Sequence, residues 1–321
     1  MRIIRDSDAQ RVEASVLTTG AFDGVHRGHQ MVIKDVIDRA KVRGVESAVV
    51  TFDVHPATVV RPDSAPKILT QLPRKLELLE ALGVDTVYVI EFDAERATTT
   101  AADFVADVFV GRLGAKEILV GSDFNFGKSR EGTVEFLHEQ GKEHGFVVEG
   151  LELMERDVPG SEVANEPVSS TAIRRALVGG DVEAAAQMLG RPFEIWGEVV
   201  QGDQRGRTIG FPTANVMLAD DIARPANGVY ACRYVHPDGT STPAATNVGV
   251  RPTFYDSADA AVLEAHLLDF PVDGESGDLY GQTARVQLLH FIRSERRFNG
   301  IDELKSQLDD DITTTRQLLA V

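Results

Sequence analysis

Two rhythms of apolar and polar positions divide this chain. Up to about residue 189, short apolar runs alternate with stretches of helical spacing. Residues 15–20 (SVLTTG), 46–52 (ESAVVTF), 86–92 (TVYVIEF), 116–121 (KEILVG) and 146–153 (FVVEGLEL) read as strands. Between them the spacing predicts helices over about 29–43, 75–82, 101–113 and 131–145; in the first, Val32 and Val36, and Ile33 and Ile37, recur four apart. Two short helical segments follow, STAIRRALVGG and DVEAAAQMLG. Strand–helix alternation of this kind predicts a parallel sheet covered on both faces.

After Gly190-Arg191-Pro192 strand-like runs dominate, at 194–200, 228–235, 261–270 and 284–292, separated by Gly, Pro, Asp and Asn clusters. These predict a small antiparallel barrel. Residues 301–320, with Leu304, Leu308 and Ile312 four apart, close the chain as an amphipathic helix. The boundary falls near 187–193, giving expected domains of 1–186 and 187–321, each long enough to bury its own core.

Composition narrows the function classes. Fifty acidic against thirty-three basic residues leave a net charge of -17. Such a surface repels nucleic acid and anionic membranes, which bind to positive fields, so neither is an expected partner. It repels phosphate ligands too, so an anion site must be built locally. Cys232 is the single cysteine, which excludes an internal disulfide and a thiolate-cluster metal site. The opening MRIIRDSDAQ lacks the apolar stretch of a signal peptide, and a cytoplasmic protein is expected.

The first chemical signal is Gly20-Ala21-Phe22-Asp23-Gly24-Val25-His26-Arg27-Gly28-His29, where the first strand turns into the first helix. Gly20, Gly24 and Gly28 permit close approach of a ligand, and a new helix offers unpaired N–H groups to an anion. His26 and His29, three apart, can reach the same phosphates. Zinc binding by the pair would need a third ligand, and none has motif spacing. Gly121-Ser122-Asp123-Phe124-Asn125-Phe126-Gly127-Lys128-Ser129 resembles a P-loop but has five residues between its glycines where the motif requires four. Ser169-Ser170-Thr171 with Arg174 reads either as a helix cap or as a hydroxyl and guanidinium clamp on phosphates.

In order and spacing, GAFDGVHRGH, the aspartate of GSDFNFG and VSSTAIR resemble the three motifs of the FMN adenylyltransferase module of bacterial bifunctional FAD synthetases, a branch of the H-x-G-H nucleotidyltransferases with a Rossmann-like parallel sheet. TFDVHP (51–56) is similar to the T-F-x-P-H-P segment of that family, with Val54 in place of proline, and Ala21 stands where threonine is frequent. The resemblance implies that His26 and His29 stabilise the transferring and leaving phosphates. It further implies that Gly20, Phe22, Asp23, Gly28, Ser170, Thr171 and Arg174 bind ATP, and that Asp123 and His55 lie at the flavin. FMN's phosphate is already an anion near neutral pH, so its attack on the α-phosphorus of ATP needs charge stabilisation and no general base.

The second signal is Gly206-Arg207-Thr208-Ile209-Gly210-Phe211-Pro212-Thr213-Ala214-Asn215. Alone it could be a turn leading into a strand. TNVGVRPTF (246–254), LEAHLLDF (263–270), DLYG (278–281) and IRSERRF (292–298) follow, and together they resemble the riboflavin kinase domain over essentially all of 190–321, with Arg297 replacing a frequent lysine. Riboflavin's neutral ribityl hydroxyl does need a base. Leu263, Ala265 and Leu267 alternate onto one strand face, which puts the Glu264 carboxylate on the other, as a solvated face residue or as that base. The resemblance implies the base. It likewise implies that Gly206 and Gly210 line ATP, that Thr213 and Asn215 hold Mg2+ with ATP, and that Arg293 and Phe298 lie near the flavin.

The expected protein is therefore a bifunctional enzyme that phosphorylates riboflavin to FMN and adenylylates FMN to FAD, with ATP as co-substrate of both steps. Three alternatives share part of the pattern. A single-activity enzyme would have one silent half. A cytidylyltransferase would share H-x-G-H but lack GFPTAN. A non-catalytic flavin-binding regulator would lose Glu264 or the histidines. A homo-oligomer stays open.

Overall fold

The computed structural model describes residues 1–152, 167–202, 205–250, 261–270 and 279–321. Residues 251–254 of the TNVGVRPTF segment, and Asp278, lie outside them. The chain forms two compact units, Met1–Ser170 and Thr171–Val321.

The first unit is a six-stranded parallel sheet made of β1 (Arg2–Arg5), β2 (Ser15–Thr19), β3 (Glu46–Phe52), β4 (Thr86–Ile90), β5 (Ala115–Gly121) and β6 (Val147–Leu151), in the order β1-β4-β3-β2-β5-β6. Every residue of β2 and β4 is buried, as expected of strands covered on both faces. Leu17, Val50, Tyr88 and Ile118 face helices α4 (Ala101–Phe104, continued as a π-helix over Val105–Arg112) and α5 (Val134–His144). Their neighbours Val49, Val87 and Val89 pack on Ile33 and Ile37 of α1 (Arg27–Arg43) and on Leu79 of α3 (Leu72–Leu82). The short α2 (Pro56–Val60) follows β3. The π-helical stretch was not legible in a pattern that predicts one regular helix over 101–113. It turns Val105, Val108 and Phe109 into the core. Strand β1, at the sheet edge, was missed because its RIIR is short and half polar.

The second unit is a closed antiparallel barrel of β7 (Phe193–Val200), β8 (Ala214–Met217), β9 (Gly228–Val235), β10 (Ser241–Val250), β11 (Ala261–Leu267) and β12 (Thr283–Ser294), in the cyclic order β10-β11-β8-β7-β12-β9. Register shifts in β12, between Leu288 and His290 and between Phe291 and Arg293, supply the bend that closure requires. Helix α6 (Ser170–Val178) passes to α7 (Val182–Leu189), which packs on β7 and β12. The Leu177 carbonyl accepts from the Ala226 amide, 2.9 Å away. These contacts place α7 with the barrel, so the units divide ahead of residue 187. A short helix α8 (Arg205–Ile209) precedes β8, and α9 (Ile301–Leu319) closes the chain. Among the described residues no helix is long and apolar enough to cross a membrane.

Candidate active sites

The β2–α1 connection, residues 20–26, leaves the sheet where the strand order reverses between β2 and β5. Ligands of open parallel sheets bind in the crevice at such a point, beyond the carboxyl ends of the strands. The connection is strained. Phe22 (φ 47°) and the buried, β-branched Val25 (φ 41°) have left-handed backbones, which cost about 1–3 kcal/mol each and persist only where surroundings over-determine them. Here they do. The Asp23 carboxylate accepts from the Leu69 amide (2.9 and 3.1 Å) and the Thr70 amide (3.2 Å). Ser170 Oγ donates to the Asp23 carbonyl (2.8 Å), and Gln30 Nε2 to that of Val25 (2.8 Å). Asp23 thus braces the loop with a carboxylate that is almost wholly buried.

His26 is the N-cap of α1, its Nδ1 accepting from the His29 amide (3.3 Å). A neutral His26 therefore carries its proton on Nε2. The two imidazoles stack, with centroids 3.5 Å apart and planes 19° from parallel. A Cβ at Gly28 would stand 3.3 Å from the His26 ring, so glycine is what lets that ring lie against the helix start. Burial, then His26, then Lys75 hold the His29 pKa well below the usual histidine value. His29 Nδ1 is buried without a hydrogen-bond partner. At neutral pH His29 is an uncharged hydrogen-bonding group.

Strands β2 and β5 are hydrogen-bonded neighbours, so the loops that leave them emerge side by side. The exposed Asp123 lies on the second of these loops, where its carbonyl accepts from Asn125 Nδ2 (2.6 Å). Lys128–Arg130 is a 3-10 turn and the next helix opens only at Val134, whereas a P-loop needs a helix starting at its lysine. His55 caps α2, its Nδ1 accepting from the Ala57 amide (3.1 Å). The Gly20 amide donates to the Val50 carbonyl, tying the start of the loop to β3.

In the barrel, β11 alternates as its pattern predicts: Leu263, Ala265 and Leu267 are buried while Glu264 and His266 face the other way. Register then decides Glu264's surroundings. It lies directly across from Asn215 of β8 and Asn247 of β10, and directly paired residues share a face. Sequence reasoning gave Asn247 no role, because its place beside Glu264 is a fact of strand pairing. The loop before β8 closes through the Phe211 amide, which donates to the Gly206 carbonyl (2.8 Å), and turns at Gly210 (φ 95°). Thr213 follows. His266 Nδ1 lies 2.8 Å from the Pro212 carbonyl, which only accepts, so Nδ1 carries a proton. His266 holds this loop from the Glu264 face.

Further round the barrel in the same register row, where Glu264 pairs with Asn247, Asn247 with Val229 and Val229 with Arg293, Arg293 Nε and Nη2 donate to the buried Asp311 carboxylate of α9 (2.8 and 2.6 Å), and Nη1 donates to the Ser294 carbonyl (3.1 Å). Phe298 lies under Arg296 (4.8 Å) and Arg293 (5.9 Å). Arg293 is used as an anchor between β12 and α9.

The FAD synthetase family model matches residues 8–172 and the riboflavin kinase family model residues 189–319. The bifunctional riboflavin kinase/FMN adenylyltransferase of Escherichia coli (strain K12) is 39% identical over 96% of this chain and 94% of its own. The chain belongs to the bifunctional riboflavin kinase/FMN adenylyltransferase family. Relatives with the same name from Pseudomonas fluorescens (38% identical over 100% of this chain and 98% of its own) and Bacillus subtilis (strain 168) (38% over 92% and 90%) agree. A solved structure described as a macrolide-efflux protein from Streptococcus pneumoniae is 31% identical, with a TM-score of 0.81 over 98% of this chain and 99% of that one. Of the family's N-terminal motif residues, Ser170 lies in the first unit, against the loop. Thr171 and Arg174 lie in the second, on the first and second turns of α6, and for them the assignment rests on the motif.

Proposed function

We propose that the two activities of this family are carried by separate sites of this chain: the β2–α1 loop adenylylates FMN, and the Glu264 face of the barrel phosphorylates riboflavin. The observation that carries the reading is the pairing of Asn215, Glu264 and Asn247 on one barrel face beside Thr213, together with a stacked, helix-capping histidine pair at the sheet's switch point. In the barrel, Glu264 takes the proton of the ribityl hydroxyl, whose oxygen attacks the γ-phosphorus of ATP as ADP leaves. In the sheet domain, FMN's phosphate oxygen attacks the α-phosphorus of ATP and pyrophosphate leaves. There His26 and His29 donate hydrogen bonds to phosphate oxygens as charge builds on them. Asp123 and His55 face the flavin side of that site.

Magnesium takes oxygen ligands. The Thr213 hydroxyl and the Asn215 amide oxygen supply them two residues apart, so the residues fit the ion. Thr213 and Asn215 would hold it together with ATP, where it neutralises charge on the phosphates. The adenylylation module falls within 1–186 and the kinase module is 187–321 together with α7, whose packing on β7 and β12 sets the boundary back from 187. Riboflavin, FMN and ATP are the partners of a cytoplasmic enzyme whose charge of -17 disfavours nucleic acid and anionic membranes.

Purified protein incubated with riboflavin, ATP and magnesium, then followed by chromatography, should accumulate FMN and then FAD. His26→Ala or His29→Ala should abolish FAD formation and leave FMN formation nearly intact. Equal loss of both activities in a folded variant would overturn the separation of sites.

A further inference from the structure

Lys75 is buried, at 7% exposure, on the face of α3 that turns toward the sheet, in the same stripe as Leu72 and Leu79. Lysine is almost never buried unless its charge is met. Its ammonium carries three donors, and three acceptors surround it: the Ala21 carbonyl (2.9 Å), Thr51 Oγ1 (3.3 Å) and the Phe52 carbonyl (3.4 Å). Thr51 Oγ1 also donates to the Ala21 carbonyl (3.2 Å). One cation thus ties the adenylylation loop, at the residue before strained Phe22, to the carboxyl end of β3.

We propose that Lys75 is a positioning residue for FMN adenylylation: by holding the Ala21 carbonyl to the end of β3 it fixes the strained Phe22–Val25 turn, and with it the capping geometry that stacks His26 on His29. This rests on the reading that those histidines serve adenylyl transfer. Losing the third donor would release one of the three acceptors and let the turn relax. A misplacement of about 1 Å at a reacting group can cost on the order of 100-fold in rate.

The titratable groups that face Lys75 are Asp23 from the loop, Asp53 beyond β3 and His29 from α1. Burial outweighs the two carboxylates and lowers the Lys75 pKa from 10.5 to about 8. The ammonium is therefore lost as pH rises through about 8, and kcat for FAD formation should fall over that range. Riboflavin phosphorylation by the same molecules uses the same ATP and magnesium and serves as the internal control.

The test is steady-state kinetics of both reactions between pH 6 and 10, on the wild type and on Lys75→Met, which keeps the length and apolar stem without the charge. For wild type the expected result is a basic limb near pH 8 in kcat for FAD formation that the kinase reaction lacks. In Lys75→Met, kcat for FAD formation at pH 7 should fall about 10- to 100-fold, with KM for ATP within a few fold of wild type, the basic limb gone and kinase turnover unchanged. A folded variant with wild-type kcat, or one that keeps the basic limb, overturns the proposal. If Lys75→Met does not fold, the wild-type profile decides alone, and a flat FAD-formation kcat from pH 7 to 9.5 overturns it. Should His29→Ala leave FAD formation intact, the siting of the reaction fails first. Should it abolish FAD formation while Lys75→Met does not alter it, only the role of Lys75 fails.

Discussion

Glu264 and His29 have little chemical distinction as isolated residues, and both acquire it from what stands next to them. Glu264→Gln keeps size and hydrogen-bonding capacity but removes basicity. Riboflavin phosphorylation should then fall by roughly 10²–10⁴-fold, while FAD synthesis from supplied FMN persists, and a coupled assay for ADP would measure it. Wild-type kinase turnover in that variant would reduce Glu264 to a surface residue. Lys75 gives a second residue-scale expectation, in stability. Its folded pKa, about 8, lies below the unfolded value of 10.5. Between those limits the unfolded chain holds more protons, so this group makes stability rise with pH. The penalty is complete below about pH 8 and gone above 10.5. The difference in urea midpoint between wild type and Lys75→Met should shift in the variant's favour as pH falls from 10.5 to 8, and a pH-independent difference would contradict it.

Among the elements, α9 shows how packing holds in place a charged residue that the motif names. Arg293, a flavin neighbour by the family motif, has its guanidinium bidentate on Asp311, which is 2% exposed. Asp311→Ala leaves that arginine without its partner and also removes the acceptor of Gln307 Nε2. Breaking such a pair costs about 3 kcal/mol or more, so a large fall in the denaturant midpoint of the barrel is expected; a shift below about 0.5 kcal/mol, the level of ordinary surface substitutions, would show that the pair contributes nothing. The legibility of the elements follows the same logic. The strands at 46–52 and 228–235 were readable as near-continuous β-rich runs, buried along almost their whole length, and the closing helix because it is long and carries one clear period. Strand β10, whose STPAATNVGV mixes small, polar and proline residues, was not read as a strand. Its backbone pairs with β9 and β11 whatever its side chains are. Lys75 was visible as a lone cation in the apolar stripe of α3, and that is the signal that would have marked it as functional.

For the molecule as a whole, two compact units and two family matches point to modules that fold separately. A cut between residues 186 and 187 severs α7, whose buried Met188 and Leu189 stay with the barrel while Val182 and Ala185 leave it. Burying a side chain of that size contributes roughly 1.5–3 kcal/mol. A fragment of 171–321 should therefore unfold cooperatively and phosphorylate riboflavin, and a 187–321 fragment should do the same at a lower midpoint. Equal midpoints would mean that α7 contributes nothing to the barrel. A folded, inactive 171–321 fragment would mean that the kinase reaction needs the first module.

The sequence by itself determined the two fold classes, the position of the H-x-G-H turn and the face on which Glu264 lies, because strand and helix periods and motif spacings are local properties of the chain. Tertiary structure decided the rest. Strand order put the β2 and β5 loops side by side, and ladder register set Asn215 and Asn247 beside Glu264. A buried lysine and aspartate hold a turn whose backbone is strained, and Arg293 is bound to a helix 18 residues further on. Each of these is a contact between residues distant in sequence, and strand pairing in the open sheet and closure of the barrel, rather than any local pattern, bring them together.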